Sequence, residues 1–369
     1  MALLKGESKM LKIVEFIKAN DNWLELLSAP PYSLKIKEKG RLVLFNYSQI
    51  ESNPSNEITR EARGLILEKG TWNVVRCGFF RFFNLGEANA DTIEWASATA
   101  TRKEDGTLIF VYSYDNEWHV GTRSTFDAEE APIQYPNYKS FKDLFDDVAA
   151  QVGFDFSKLN PNHTTCLELC SSANRIVVSY DKPQLFHILT RDNSTLEELD
   201  VNIGLPKPAQ YILENEQDYR DLVNSFDSNT EGIVIKDAKN HRVKLKTLKY
   251  FELHRSINNH NVSVEYALEL IRTGEDVEFL TYFEEYIPFF EKIRKKWKEV
   301  QNNVVTVQII VNAWKKNFPD ATRKIFSDFV KNMVPPSVLW YKAYEDKAQE
   351  WFEGLPTTKI ISIFGIGED

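Results

Sequence analysis

Between about residues 33 and 250 the chain is a series of short runs rich in β-branched and aromatic residues, each bounded by turn-forming residues. Such runs are typical of β-strands. The predicted strands are 41–47, 64–68, 107–114, 117–123, 164–170, 175–180, 184–189, 231–236 and 242–246. Tight turns at 114–117 and 237–241 join neighbouring strands, and one helix, 138–152, interrupts the series. Adjacent hairpins favour an antiparallel α+β domain over a doubly wound parallel sheet.

The pattern changes after Tyr250, where apolar residues recur every three or four positions and Gly or Pro residues separate the segments. This spacing is typical of amphipathic helices. The predicted helices are 262–272, 275–286, 290–301, 304–318, 320–330 and 338–352. The first 30 residues predict a further helix that ends at Pro30-Pro31. We therefore expect two domains, residues 1–254 with strands and an N-terminal helix, and residues 255–369 with helices alone.

Charge and cysteine content restrict the function. The net charge of −9 argues against a protein that coats nucleic acid through bulk positive charge, although residues 229–255 carry seven Lys and Arg against three acids. Three cysteines are too few for a disulfide framework, so we expect a reducing, cytoplasmic setting. No run approaches the roughly 20 apolar residues of a membrane span, and charge interrupts the N-terminus too early for a secretory signal.

Charged residues within or beside the predicted strands form an ordered set. Lys103-Glu104-Asp105-Gly106 precedes one strand, and alone it is most often a charged turn. Glu168 lies mid-strand, Glu231 opens another strand, and alternation places Lys244 and Lys246 on one face of the next. Alone, a strand carboxylate often faces solvent, and a Lys-x-Lys strand often protects a sheet edge. The ordered combination indicates chemistry, whereas P-loop and Rossmann glycine motifs do not occur.

The order Lys103-x-Asp105-Gly106, Glu168, Glu231-Gly232 and Lys244-x-Lys246 resembles motifs I, III, IV and V of the covalent nucleotidyltransferases. Four flanking runs narrow the resemblance to the RNA ligase 1 family typified by phage T4. They are Glu61-Ala62-Arg63-Gly64, Arg81-Phe82-Phe83-Asn84-Leu85, Lys103-Glu104-Asp105-Gly106 and Asn174-Arg175-Ile176-Val177. The resemblance covers about residues 40–250 and extends loosely over the helical tail. It implies an ATP-dependent RNA ligase with an adenylation domain at 1–254 and an RNA-recognising helical domain at 255–369.

The residue types fit the chemistry that this resemblance implies. The enzyme would store AMP on Lys103, pass it to the RNA 5′-phosphate, and release it when the 3′-hydroxyl attacks. A free lysine has a pKa of about 10.4, so it is protonated at neutral pH and is a poor nucleophile. We expect burial and neighbouring cations to lower the pKa of Lys103. Lys244, Lys246 and Mg²⁺ (or Mn²⁺) would supply positive charge, which also stabilises the reacting phosphates.

The resemblance also implies roles for the other motif residues. Glu168 would bind the ribose hydroxyls of the adenosine, and Lys244 and Lys246 would bind the α-phosphate. Glu231 would hold the divalent cation, directly or through water, because Mg²⁺ prefers oxygen ligands. Asp105 would position the lysine loop or a metal-bound water.

Basic and aromatic residues outside the central motifs complete the implied site. Arg63 and Arg81 would contact the nucleotide phosphates or ribose, and Arg81 stands where the family commonly has lysine. Arg123 would hold an RNA phosphate. Phe45 or Tyr47 would pack beside the nucleotide.

The helical domain has two further candidate features. By the resemblance, the Tyr250 carbonyl and Asp276 would bind a metal at the domain junction; alternatively, Asp276 is a helix N-terminal carboxylate. The basic run 292–298 is a candidate RNA surface, although such runs are more often solvated helix faces. The implied partner is RNA with 5′-phosphate and 3′-hydroxyl ends, such as a cleaved tRNA anticodon loop. We expect a monomer.

Two other functions are compatible with parts of this pattern. A DNA ligase or capping guanylyltransferase would share the central motifs, but those enzymes usually continue with a β-rich OB-fold after motif V, where this chain predicts helices. An inactive protein that binds RNA ends would be expected to lack the lysine or the carboxylates. Lys103, Glu168, Glu231, Lys244 and Lys246 are all present, which favours an enzyme.

Overall fold

The computed structural model describes residues 10–48, 51–135, 137–175, 178–227, 229–248, 250, 262–283, 286–334 and 336–367. The chain divides into two compact units, Met1–His254 and Arg255–Asp369. Within the described ranges, no helix is both long enough and apolar enough to cross a membrane.

The first unit is built mainly from short strands. They are β1 (Leu34–Lys39), β2 (Leu42–Tyr47), β3 (Arg63–Glu68), β4 (Val74–Arg76), β5 (Phe83–Asn84), β6 (Thr99–Lys103), β7 (Thr107–Tyr114), β8 (Glu117–Gly121), β9 (Pro132–Tyr135), β10 (Tyr138–Ser140), β11 (His163–Cys170), β12 (Gln184–Asp192), β13 (Glu198–Leu199), β14 (Gln210–Tyr211), β15 (Gly232–Lys236) and β16 (Arg242–Lys246). The helices are α1 (Lys12–Ala19), α2 (Trp23–Ser28), α3 (Glu57–Glu61), α4 (Phe141–Val152) and α5 (Glu216–Ser225).

Two five-stranded sheets carry the motif residues. One has the strand order β14-β6-β15-β16-β5, and the other has the order β13-β12-β11-β7-β8. A four-stranded sheet, β1-β2-β3-β4, and a two-stranded ribbon of β9 and β10 complete the unit. The paired strands are antiparallel except β16 and β5, which are parallel. The predicted antiparallel α+β class is therefore confirmed.

Each of the three larger sheets has its own hydrophobic core. Helix α1 packs Ile13, Val14 and Ile17 in a cluster with residues of the four-stranded sheet. The apolar face of α4 packs in the same way in a cluster with β7 and β11. Helix α5 contributes Tyr219 and Val223 to the core of the sheet that contains β15 and β16. Burial of these apolar faces stabilises the sheets that hold the motif residues.

The second unit is helical in its described part, as predicted. Its helices are α6 (Val264–Thr273), α7 (Asp276–Tyr282), α8 (Ile287–Asn317), α9 (Arg323–Val330), α10 (Ser337–Tyr344), α11 (Ala348–Glu353) and α12 (Thr357–Phe364). The long helix α8 spans two predicted helices, because its buried residues Val300, Val304 and Val307 continue the same face without a Gly or Pro between them. The predicted helix 338–352 instead divides near Asp346, which has a φ of 58°.

Other differences from the predictions also have local causes. The N-terminal helix breaks at residues 20–22, where the Asn20 side chain donates to the Phe16 carbonyl. The predicted helix 138–152 begins at Phe141, because Ser140 forms a capping box with Asp143. The predicted strand 175–180 is absent at 175 and 178–180, while 176 and 177 lie outside the described residues.

Candidate active site

Lys103 and Lys246 lie on either side of one buried carboxylate. Lys103 ends β6, Lys246 ends β16, and both pair with Gly232 of the intervening strand β15. Glu231 directly precedes that glycine. Lys103 Nζ donates to Glu231 Oε2 at 2.6 Å, and Lys246 Nζ lies 3.3 Å from Glu231 Oε1. The side chain of Lys103 is 27% exposed, whereas those of Glu231 and Lys246 are 3% and 1% exposed. Lys103 is therefore the member of this trio that a substrate can reach.

Glycines allow the strands around this trio to approach closely. Gly232 has a φ of 154°, and a Cβ atom added there would lie 2.1 Å from the Leu245 carbonyl oxygen. A Cβ atom on Gly106 would lie 2.3 Å from the Leu169 carbonyl oxygen. Both contacts are much shorter than van der Waals distance, so only glycine fits at these two positions.

The electrostatic environment of Lys103 differs from the prediction. Burial and the nearby Lys246 act to lower its pKa, but attraction to Glu231, assisted by Glu168, outweighs them. The pKa of Lys103 is therefore raised above its ordinary value, and the prediction of a lowered pKa is wrong for this arrangement. Because a protonated amine cannot attack, the ion pair with Glu231 must separate before Lys103 reacts.

Glu168 lies in β11 and is electrostatically coupled to the same group of side chains. Burial raises its pKa to about 7, and repulsion from Glu231 and Asp105 adds to this, while Lys103 and Arg63 act in the opposite direction. The structure therefore brings Glu168 together with the residues of the other motifs. Its carboxyl group is poised to change protonation state near neutral pH.

Asp105 anchors the loop that follows Lys103. Its carboxylate accepts hydrogen bonds from the Val178 backbone N–H at 2.7 Å and the Tyr250 hydroxyl at 3.1 Å. The Tyr180 hydroxyl accepts from the Asp105 backbone N–H at 2.9 Å and donates to Glu104 at 3.2 Å. This arrangement fits the expected positioning role of Asp105. The contacts of the Tyr180 and Tyr250 hydroxyls were not predicted from the sequence. The only signal for them there is that each tyrosine follows a group of motif residues closely.

Three arginines converge on Tyr47. The guanidinium carbon of Arg81 lies 4.3 Å from the centre of the Tyr47 ring, and Arg123 donates to the Tyr47 hydroxyl at 3.1 Å. Arg63 packs over the Phe79 ring at 4.3 Å. Burial acts to raise the pKa of Tyr47, but the positive charges of Arg123, Arg63 and Arg81 outweigh it and lower that pKa. We call Arg63, Arg81 and Arg123 the arginine cluster.

The arginine cluster has unused hydrogen-bonding capacity. Arg63 and Arg81 each have a buried Nη1 atom that makes no hydrogen bond with the described part of the chain. No carboxylate among the described residues forms an ion pair with any of the three guanidinium groups. Burial lowers the pKa of both Arg63 and Arg81, which is the signature of charge held away from water. A bound anion would satisfy these donors.

The structure corrects one aromatic residue of the predicted site. Phe45 is fully buried in the core beneath the four-stranded sheet, where its ring centre lies 6.0 Å from that of Trp23. The Phe45 side chain does not reach the protein surface, so it cannot contact a nucleotide. Of the two alternatives, Tyr47 is the one that contacts the arginine cluster.

The remaining predicted residues fall in two places. Lys244 lies in β16 opposite Val234, on the same strand face as Lys246. Asp276 begins α7 in the second unit and accepts a hydrogen bond from Arg294 Nε at 2.6 Å. This pairing provides a structural role for Asp276, and its role as a metal ligand stays a prediction.

Comparison with known proteins identifies the family. A family model described as RNA ligase, of the T4 RNA ligase 1 type, matches residues 61–251, slightly more than half of the chain. The chain belongs to the T4 RNA ligase 1-like family. The matched segment of this family member includes Lys103, Glu168, Glu231 and Lys246.

One viral relative aligns with most of this RNA ligase family member. A protein of Autographa californica nuclear polyhedrosis virus, described as a bifunctional polynucleotide kinase/RNA ligase, is 28% identical over 310 residues. The alignment covers 76% of this chain and 43% of the relative, so the chain spans less than half of the relative's length.

The solved structures that match this chain include two RNA ligases. An archaeal ATP-dependent RNA ligase has a TM-score of 0.45, with 15% identity and 74% of each chain covered. A variant of the Naegleria gruberi RNA ligase with ATP and Mn has a TM-score of 0.34, with 14% identity and coverage of 43% of this chain and 52% of that chain.

Proposed function

We propose that this protein is an ATP-dependent RNA ligase that joins 5′-phosphate and 3′-hydroxyl ends through lysyl-AMP and RNA-adenylate intermediates. The observation that carries the proposal is the placement of Lys103, Glu231 and Lys246 in one cluster, with Lys103 as its accessible member. Membership of the RNA ligase family supports the class of reaction. The buried, unpaired guanidinium atoms of Arg63 and Arg81 support a substrate that carries phosphates.

The first step follows from the groups around Lys103. The hydrogen bond from the Lys103 ammonium group to Glu231 Oε2 breaks first, and the ammonium group then loses one proton to water. The Nζ lone pair then forms a bond to the α-phosphorus of ATP as the bond to pyrophosphate breaks. The second proton leaves Nζ for water. Lys246 stays beside the reaction as a fixed positive charge, which stabilises negative charge that develops on the phosphate oxygens.

Once the ion pair between Lys103 and Glu231 separates, the freed Glu231 oxygen would hold a divalent cation, Mg²⁺ or Mn²⁺. Among the described residues, no group of three His, Cys, Asp or Glu side chains could hold a metal by itself. Mg²⁺ is commonly bound by one or two carboxylates together with substrate phosphates, which a single Glu231 can satisfy. When bound, the cation would neutralise phosphate charge.

The other residues are assigned by chemistry. Glu168 would accept hydrogen bonds from the ribose hydroxyls, Lys244 would contact the α-phosphate, the buried Lys246 would stabilise that phosphate through its charge, and Arg63 and Arg81 would bind nucleotide phosphates. Arg123 would bind an RNA phosphate. We further propose that the helical unit recognises the RNA, with cleaved tRNA as a candidate, and that the protein acts as a monomer in the cytoplasm, where its three buried cysteines stay reduced.

An end-joining assay tests the proposed function. The protein is incubated with ATP or GTP and with 5′-phosphorylated single-stranded, nicked-duplex or broken-hairpin substrates, each made both as RNA and as DNA. We expect ATP-dependent joining of RNA. Joining of DNA alone indicates a DNA ligase, and covalent labelling by GTP alone indicates a guanylyltransferase. RNA binding without ATP–pyrophosphate exchange indicates an inactive end-binding protein, and each of these results overturns the proposal.

A further inference from the structure

We propose that Lys35 and Lys37, on the edge strand β1, extend the arginine cluster into a track that binds backbone phosphates of the RNA substrate. The proposal rests on the proposed function, because it takes RNA as the ligand. It concerns a surface outside the four nucleotidyltransferase motifs.

The register of the four-stranded sheet places Lys35 beside Arg123. Lys35 pairs directly with Asn46 of β2, so the two side chains lie on the same face of the sheet. The Asn46 side-chain amide donates to the Arg123 carbonyl at 2.7 Å. The exposed residue Lys35 is therefore one side chain away from the backbone of Arg123.

Lys37 continues the row along the same segment. Two residues further along β1, its side chain emerges on the same face as that of Lys35, about 6.6 Å away along the strand. Lys37 Nζ donates to the carbonyl of Ser124, the residue after Arg123, at 3.2 Å. The two lysines thus lie beside the backbone of Arg123 and Ser124.

The far end of the row is closed by acidic residues. Lys39, the next lysine on this face, forms an ion pair with Glu130 at 2.8 Å, and its ammonium group lies 6.0 Å from the centre of the Phe126 ring. Asp127 and Glu129 add negative charge near Lys39. RNA phosphates are therefore repelled beyond Lys37, so the track is short and holds about two phosphates after the one at Arg123.

Protection of a sheet edge is the ordinary explanation for lysines on such a strand. The opposite face of β1 argues against it as the full explanation, because there Glu38 forms an ion pair with Lys69 at 2.8 Å. Edge protection does not require the lysines to lie beside Arg123, whereas Lys35 and Lys37 both occupy that face. A row of one sign next to a phosphate-binding cluster fits a polyanion.

The test compares the Lys35→Ala/Lys37→Ala variant with the wild type in binding a fluorescent 5′-phosphorylated single-stranded RNA across a salt series. Each phosphate contact to a single strand contributes a slope of about −0.7 to log K against log salt, so losing two contacts reduces the slope by about 1.4. The ratio of the wild-type binding constant to that of the variant should then fall by about sevenfold between 50 and 200 mM salt. Lys69→Ala, on the opposite face, is the matched control and should keep the wild-type slope.

Three outcomes separate the possibilities. A variant that unfolds at the wild-type temperature but binds RNA with the wild-type slope overturns the track. A slope reduced equally by Lys69→Ala also overturns it, because the effect is then one of general charge. Lysyl-AMP formation by the wild type is measured in parallel: its absence overturns the proposed function, whereas its presence with an unchanged slope overturns only the track.

Discussion

Glu198 provides a quantitative test of how the two five-stranded sheets are held. Its carboxylate, 6% exposed, contacts Arg191 at 2.9 Å, Lys236 at 3.2 Å and Arg242 at 2.6 Å, and so connects β12 and β13 with β15 and β16. Burial alone would raise its pKa, but the bonds to Arg242 and the other two cations lower it from 4.5 to about 2. A depressed pKa means that the ionised form stabilises the folded state.

The size of this effect follows from the pKa difference. A fall from 4.5 to about 2 corresponds to roughly 3 kcal/mol of stability at pH 7. This stability is fully present above pH 4.5 and is lost as the pH falls towards 2; about 2 kcal/mol disappears between pH 7 and pH 3. In Glu198→Gln the three cations keep their positions but lose the negative charge. We expect its free energy of unfolding at pH 7 to fall by about 3 kcal/mol, with less difference from the wild type at pH 3.

Urea unfolding of both proteins at pH 7 and pH 3 measures these values. Asp200→Asn is the matched control, because Asp200 also pairs with a lysine, Lys207, but is 94% exposed and should contribute little. Equal urea midpoints for Glu198→Gln and wild type at pH 7 would show that the ionised Glu198 carboxylate does not stabilise the fold. So would a difference that is the same size at both pH values, since it would not come from the ionised carboxylate.

Two further predictions concern the catalytic loop and its charge. In Gly106→Ala the new methyl group collides with Leu169, so we expect the free energy of unfolding in urea to fall by about 1–3 kcal/mol and lysyl-AMP formation to slow. Gly354→Ala is the control and should change neither quantity, because its new methyl group would lie 3.4 Å from the nearest atom, the Glu350 carbonyl oxygen. Glu231→Gln should move the alkaline rise in the rate of lysyl-AMP formation to lower pH while reducing its maximum, because the partner that raises the pKa of Lys103 is lost and burial and Lys246 remain. A pH profile of single-turnover adenylylation that keeps its wild-type midpoint would contradict the assignment of Glu231 as the dominant partner.

The strand pattern allowed much of the fold to be predicted from sequence. Strands such as β7 and β16 begin and end where predicted, because each is a dense run of β-branched and aromatic residues between turns. Strand β6 was missed because its five residues, Thr-Ala-Thr-Arg-Lys, contain little apolar surface. It forms because β15 and β14 pair with it on either side, which is a long-range contact that no local pattern records.

The site shows the same division between local and long-range information. The order of the motifs was enough to select Lys103, Glu168 and Glu231. The effect of each of these groups on the pKa of the others depends on the distances between their side chains. The raised pKa of Lys103 depends on a 2.6 Å contact across strands, and motif spacing does not specify it. The choice between Phe45 and Tyr47 likewise depended on long-range contacts, because both side chains lie on the same face of β2, and of the two it is Tyr47 that has arginines beside its ring.

Peptide mass spectrometry shows whether Lys103 is the residue that carries AMP. The protein is incubated with ATP and Mg²⁺ without RNA, digested, and searched for lysine peptides that have gained one adenylate. We expect one adenylate on Lys103, none in Lys103→Ala, and normal labelling in Lys69→Ala. Adenylate on a different lysine, or labelling that persists in Lys103→Ala, would contradict this assignment.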